Sequence, residues 1–325
     1  MAASGQEAVG AQSGPDSADW LLLGFTVLVW GTTFASLRIA AETIPPIWII
    51  AGRLTVASAL LAPLGIAVLL RRPKGTGASA QTVVGGRAIW SAAGWMSLVG
   101  IVFTALPYLA YANAARTADS SVLAICNGAA PIFTIVLAHL ILPGERMTWA
   151  RASGVGLGFI GLIVLMTPRL ANGVDPRAVG LVLSILAASL YAAGNIATRQ
   201  APRIQPILSS FILVSSGAVA ALLAALATTP FPEDVSRESL LALLWIGIGP
   251  TGLAMIAFVI LVQRAGPVFT SFSTYLAPMV ALAIGVAFLH ERPGWEAPAA
   301  LALILAGVWI GNRRARPAQA LRIKV

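Results

Sequence analysis

Ala130-Pro131, then Glu145-Arg146-Met147-Thr148-Trp149, then Gly161: this run, inside residues 118–168, is met again as Ala277-Pro278, Glu291-Arg292-Pro293-Gly294-Trp295 and Gly307. A unit that recurs in order fixes an architecture before any single element is assigned. The match extends outward. At an offset of 161, Trp30 falls on Tyr191, Arg38 on Arg199 and Pro45 on Pro206; at 147, Gly100 falls on Gly247 and Thr104 on Thr251. Composition alone could align apolar segments, but here Pro, Trp, Glu and Arg recur in sequence.

The composition says what surrounds these units. The chain has 325 residues, 58% of them hydrophobic and 10% charged, against about 25% charged in a soluble domain. That polar surface is too small to cover a water-exposed globule. Apolar runs of about 20 residues recur along the chain, the length that crosses a hydrocarbon core of roughly 30 Å. In lipid each backbone polar group needs an internal partner, so the runs are read as helices. They lack the period-2 alternation of a membrane barrel.

Ten spans are expected, over residues 20–41, 47–70, 89–112, 118–142, 149–167, 178–198, 207–228, 240–262, 268–290 and 297–311. Each half holds five. Five is odd, so the second half lies upside down relative to the first. The expected fold is an all-α integral membrane protein of ten transmembrane helices, arranged as two inverted five-helix repeats. Residues 1–18 read as a disordered tail, 19–168 as the first repeat, 176–312 as the second and 313–325 as a basic cytoplasmic tail. Residues 71–87 read as a long solvated loop rich in Gly, Ser and Thr.

The formal charge of +9 could suggest nucleic acid, but the basic residues sit in short loops and the C-terminal tail. The membrane orientation rule is the better reading. With the N-terminus inside, fourteen of the 21 Lys and Arg fall on the cytoplasmic side and six on the other. Both termini are therefore expected in the cytoplasm, with the chain spanning the inner (plasma) membrane. The one cysteine, Cys126, lies in an apolar run and offers neither a disulfide nor a metal site.

These features resemble the drug/metabolite transporter superfamily in its ten-span form with two EamA-type repeats. The resemblance rests on Trp30-Gly31, Arg53, Ala130-Pro131, Ala277-Pro278 and the two Glu-Arg loops. It covers about residues 20–312. It implies both termini in the cytoplasm, a central cavity between the first four helices of each repeat, and secondary transport, often export, of amino acids or other small metabolites. Two positions depart from the repeat: Val214 stands where the first half has Arg53, and Tyr191 where it has Trp30.

Arg53 is the most informative residue. It sits about two turns into a span, near 10 Å deep at 1.5 Å per residue, where an arginine costs at least about 2.5–3.5 kcal/mol on insertion scales. It either faces a cavity and binds an anionic group such as a substrate carboxylate, or it snorkels to the outer interface and ties helix ends together. Trp30, Tyr108, Asn127, Tyr191, Asn195 and Thr274 are the further cavity candidates, with interhelical hydrogen bonding as the plainer role for each. Tyr191 and Asn195 share a helix face at i, i+4. Pro131 and Pro278 each free a carbonyl one turn earlier and read either as paired hinges or as static kinks.

No Asp or Glu is expected inside a span, so a buried carboxylate relay for protons is not expected. His139 is the ionisable residue expected deep in the fourth span, and packing is its default role. The Glu-Arg loops read as salt bridges or helix N-terminal charges. Gly154, Gly156, Gly158 and Gly161 permit close helix packing within the chain, or a homodimer. No catalytic cluster, zinc motif, phosphate-binding loop or Schiff-base lysine accompanies the spans, so neither enzyme nor cofactor nor metal is expected. The partners expected are the bilayer and a small-molecule substrate, not nucleic acid. The reading is a metabolite transporter working by alternating access, with a lipid or lipid-precursor translocase of related architecture as the alternative.

Overall fold

A computed structural model describes residues 15–70, 87–170, 176–202 and 204–312, and among them the chain is all helix with no strand. The expected tails at 1–14 and 313–325 and most of the loop at 71–87 lie outside the described residues. The helices are α1 (Ser17–Gly31), α2 (Thr33–Ala40), α3 (Pro46–Leu70), α4 (Arg87–Gly100), α5 (Leu106–Ala114), α6 (Ser120–Gly128) and α7 (Ala130–Ile141) in the first half. The first half closes with α8 (Trp149–Leu170). The second half contains α9 (Pro176–Gln200), α10 (Pro206–Thr228), α11 (Arg237–Ile246), α12 (Ala254–Thr270), α13 (Phe272–Phe288) and α14 (Glu296–Asn312).

Eight continuous or nearly continuous helical stretches are long and apolar enough to cross a membrane, and the apolar helices Phe272–Phe288 and Glu296–Gly311 are shorter. Crossings that alternate in direction would set α3 antiparallel to α10 and α4 antiparallel to α9. Side-chain bonds agree with that alternation. Trp48 Nε1 donates to the carbonyls of Thr229 and Pro230 at one end of the bundle. Trp95 Nε1 donates to the carbonyl of Ala197 at the other.

Five expected spans are interrupted, and the sequence supplies causes for most of them. The first bends at Thr32, whose hydroxyl bonds back to the carbonyl of Val29 at 2.7 Å. The fourth breaks at Ala129, because Pro131 has no N–H and its ring would crowd the carbonyl of Asn127; Pro131 instead opens α7. The third and eighth carry π-helical turns at Ile101–Ala105 and Gly247–Leu253, which an offset of 147 nearly superposes. The ninth stretch begins as the tail of α12 beyond Gly266, whose φ of 82° suits glycine, and continues as α13. The matched prolines therefore differ locally: Pro131 stands at a break, whereas Pro278 is buried inside a continuous helix.

The core runs through α2, α3, α5, α6, α10 and α11, around Leu37, Ile50, Leu54 and Ile246. At one side α8 and α14 pack closely enough for backbone contact. A Cβ on Gly154 would strike the carbonyl of Gly307, and one on Gly161 would meet the carbonyl of Ala300 at 2.9 Å. An offset of 146 carries Gly154 onto Ala300 and Gly161 onto Gly307, so the two contacts are each other's images. Gly158 is filled by Ile132. Three of the four glycines on α8 are thus used within the chain and lend no support to a homodimer.

Candidate functional site

The centre of the bundle is built around a proline. Pro250 has no N–H for the carbonyl of Ile246, four residues back, and the chain answers with the π-helical turn. The hydroxyl of Thr251 donates to that carbonyl at 2.8 Å. Its oxygen can still accept, and Nε of Arg53 donates to it at 2.7 Å. One residue earlier, the carbonyl of Pro250 accepts from Nε1 of Trp30 at 3.1 Å. Two predicted site residues from different helices thus meet on consecutive residues of a third.

Arg53 is 5% exposed. Its guanidinium carbon lies 3.7 Å from the centroid of the Tyr108 ring, an arrangement worth about 0.5–2 kcal/mol. This places it inside the bundle and removes the snorkelling alternative. Among the described residues no carboxylate pairs with it, and its two terminal nitrogens have no protein acceptor, yet neither is sealed off. At the position related by the repeat, Val214 is 1% exposed within the apolar core. The two halves supply one charge to the centre.

Aromatic rings continue the site. Tyr108 stands edge-on to Tyr191 at 5.7 Å between centroids, and Tyr191 lies 6.0 Å from Tyr111. Tyr111 donates its hydroxyl to Oδ1 of Asn127 at 3.2 Å and packs against Phe34. Trp30 packs on Phe258 at 5.2 Å. Arg53, Trp30, Tyr108, Tyr191 and Asn127 therefore form one connected group.

Two candidates stand apart. Asn195 is exposed, one turn beyond Tyr191. Thr274 is half-buried in the first turn of α13, with its backbone N–H bonded to the carbonyl of Ser271. His139 is not deep in the bundle, as expected, but exposed at the end of α7. Its Nδ1 lies 3.2 Å from both the carbonyl of Glu145 and the N–H of Met147.

The two Glu-Arg loops, expected to form salt bridges or to place charge at the N-terminus of the helix that follows, instead join distant helices at the bundle ends. Arg38 Nη1 reaches Asp119 at 2.8 Å and Glu291 at 3.0 Å. The Glu291 carboxylate accepts from the backbone N–H of Ser120 and Ser121 and from the Ser120 hydroxyl. It therefore sits on the N-terminus of α6, where the helix dipole favours an anion. Burial opposes its ionisation, but the bonds from Ser121 and Ser120 outweigh burial and hold its carboxyl below the ordinary value of 4.5. At the other end Glu145 accepts from Arg151 at 2.9 Å and from Arg199 at 3.2 Å. Hydrogen bonds from both arginines lower its carboxyl likewise. The recurrence of Arg38 as Arg199, and of Glu145 as Glu291, was the signal for this pairing.

Among the described residues no group of three His, Cys, Asp or Glu could hold a metal ion. A profile of the EamA-like transporter family matches residues 18–167 and again 178–313. The chain is 27% identical over 297 residues to "Aromatic amino acid exporter YddG" of Ancylobacter novellus, covering 91% of this chain and 97% of that protein. It is 27% identical over 314 residues to "Probable terminal-alkyne amino-acid exporter" of Streptantibioticus cattleyicolor, covering 91% and 94%. An "Uncharacterized transporter" of Archaeoglobus fulgidus is 24% identical, covering 91% and 99%. A solved structure titled only as a protein superposes with a TM-score of 0.60 at 21% identity, covering 93% of this chain and all of that one, and shares the fold.

Proposed function

This chain belongs to the EamA-like transporter family, within the drug/metabolite transporter superfamily, and from that premise we propose that it exports a small organic metabolite that carries a carboxylate and an apolar or aromatic body. It is a multi-pass membrane transporter and not an enzyme. The proposal adds the substrate class, the direction and the working parts.

The observation that carries the substrate class is Arg53. It is held by Nε on Thr251 and by its face on Tyr108, which leaves both terminal nitrogens without a protein acceptor, next to the Tyr191 and Tyr111 rings. A planar fork of donors of this kind fits a carboxylate in two-pronged fashion. The rings fit an apolar body. Trp30, Asn127 and Tyr191 shape that body's site, and Asn195 and Thr274 lie along its route. Export is the direction carried in the names of the two amino-acid relatives. Nothing observed favours a lipid translocase.

The working parts are two inverted repeats, residues 19–168 and 176–312, that rock about the shared centre. The image-related contacts of α8 with α14 and the paired π-helical turns support that reading. The reading counts ten spans in the inner membrane with both termini in the cytoplasm; the two 17-residue helices α13 and α14 reach about 26 Å at 1.5 Å per residue, close to the thickness of a hydrocarbon core. Pro131 at its break acts as the flexible point of the first half, and Pro278 gives the second a static bend.

Proteoliposomes loaded with tracer phenylalanine, tyrosine, tryptophan or a simple aromatic carboxylate test this. The wild-type protein is expected to release at least one of them. Arg53→Gln removes a charged hydrogen-bond partner worth about 1.5–3 kcal/mol, about ten- to a hundredfold in affinity, at unchanged membrane levels. Equal transport by both proteins would remove Arg53 from the site.

A further inference from the structure

The two charged clusters lie at opposite ends of the bundle. Arg38 ends the stretch Ser17–Ala40 and Arg199 ends the stretch Pro176–Gln200, and five reversals of the chain separate them. Each arginine reaches out of its own half. Arg38, of the first half, meets Glu291 of the second; Arg199, of the second, meets Glu145 of the first. The offsets that relate the halves exchange the two pairs: 161 turns Arg38 into Arg199, and 146 turns Glu145 into Glu291. The loops also match in backbone. Gly144 and His290, each just before its glutamate and 146 apart, both have positive φ, of 86° and 53°.

The pairs are alike in origin and unlike in burial. The Glu291 side chain is 1% accessible, and its carboxylate is held by Arg38, Ser120 and Ser121 together. Gly285 leaves room for it, since a Cβ there would lie 2.5 Å from Oε2. The counterpart of Gly285 at the other end is His139, and there Glu145 is 27% and Arg199 57% accessible. Exposed pairs of that kind contribute little, whereas a buried, multiply bonded carboxylate is costly to orphan. One end is latched and the other is loosely tied.

We infer that Arg38–Glu291 and Arg199–Glu145 are the two gate latches of the transporter, image-related pairs that alternately join the halves at one face and release them at the other. In this structure both pairs are made, at 3.0 Å and 3.2 Å, and Asp119, Ser120 and Ser121 make the Glu291 latch the stronger, so it is the Arg199 end that is poised to release first. When the halves rock, closing one end pulls the other pair apart. The inference uses the rocking of the halves but not the identity of the substrate. Two latches of unequal strength also set which end faces open at rest.

Hydrogen–deuterium exchange on the purified protein in lipid nanodiscs tests it without any ligand. Glu291→Gln is expected to raise deuterium uptake over residues 37–44 and 117–122 and to lower it over 142–150 and 198–202. Glu145→Gln is expected to do less, in the opposite sense. If Glu291→Gln fails to fold, Arg38→Gln leaves the α6 cap in place and reads the same end. Increases confined to the mutated end, with no fall at the far end, would make these ordinary stabilising salt bridges and overturn the inference.

Discussion

At the residue scale, the centre of the protein rests on Thr251, whose hydroxyl serves two masters. It satisfies the carbonyl that Pro250 orphans, and it positions Arg53. Thr251→Val keeps the shape and removes both bonds. The expected result is a transporter less stable by about 1–3 kcal/mol, because a buried carbonyl loses its donor, and with weaker substrate affinity. Serine at 251 is expected to restore most of both, and thermal unfolding with a transport assay reads them.

Glu291 gives the second residue-scale test. Its folded-state carboxyl lies below 4.5, so it binds protons more weakly folded than unfolded. Its contribution to stability is therefore present above pH 4.5 and lost as pH falls through the folded value. Melting temperature measured from neutral pH downward is expected to fall in the acid range for the wild-type protein. Glu291→Gln is expected to be lower at neutral pH and flatter. Parallel curves would show that Glu291 is not the titrating group.

At the scale of elements, glycines separate packing from mere composition. Gly154 faces the backbone of α14 and has no room for a methyl group, while Gly156, on the same helix, has nothing within 4 Å. Gly154→Ala is expected to destabilise by about 1–3 kcal/mol through overpacking, and Gly156→Ala to cause no loss. Equal melting temperatures for the two variants would contradict the α8–α14 contact. The sequence showed where helices begin and end, because Pro, Gly and charge mark those points. It did not show that the stretches bend at Thr32, break at Ala129 or wind into π-helical turns, because hydropathy averages over such local events. Pro131 and Pro278 read alike in one dimension. Only packing distinguishes a proline that opens a helix from one buried against Gly128.

The site was legible to the same limited degree. Arg53 stood out because its charge lies among apolar residues, and Trp30, Tyr108, Tyr191 and Asn127 do gather around it. Asn195 and Thr274 do not join that group, since helical spacing places a residue on a face without saying what the face meets. Arg38, Asp119 and Glu291 were hidden for the opposite reason: charges near helix ends are common, and their partners lie 81 to 253 residues away.

At the scale of the molecule, the account stands on two halves of common design, one flipped in the bilayer, with a single asymmetric charge between them. Asymmetry at Arg53 and Val214 is what a symmetric frame needs in order to hold one orientation of a substrate. The flip itself can be measured. With Cys126 replaced by alanine, single cysteines at Gly144 and at Gly294 are offered a membrane-impermeant thiol reagent in intact cells. The account predicts that the cysteine at 294 reacts and the one at 144 does so only after the membrane is opened. Labelling of both from the same side would contradict it.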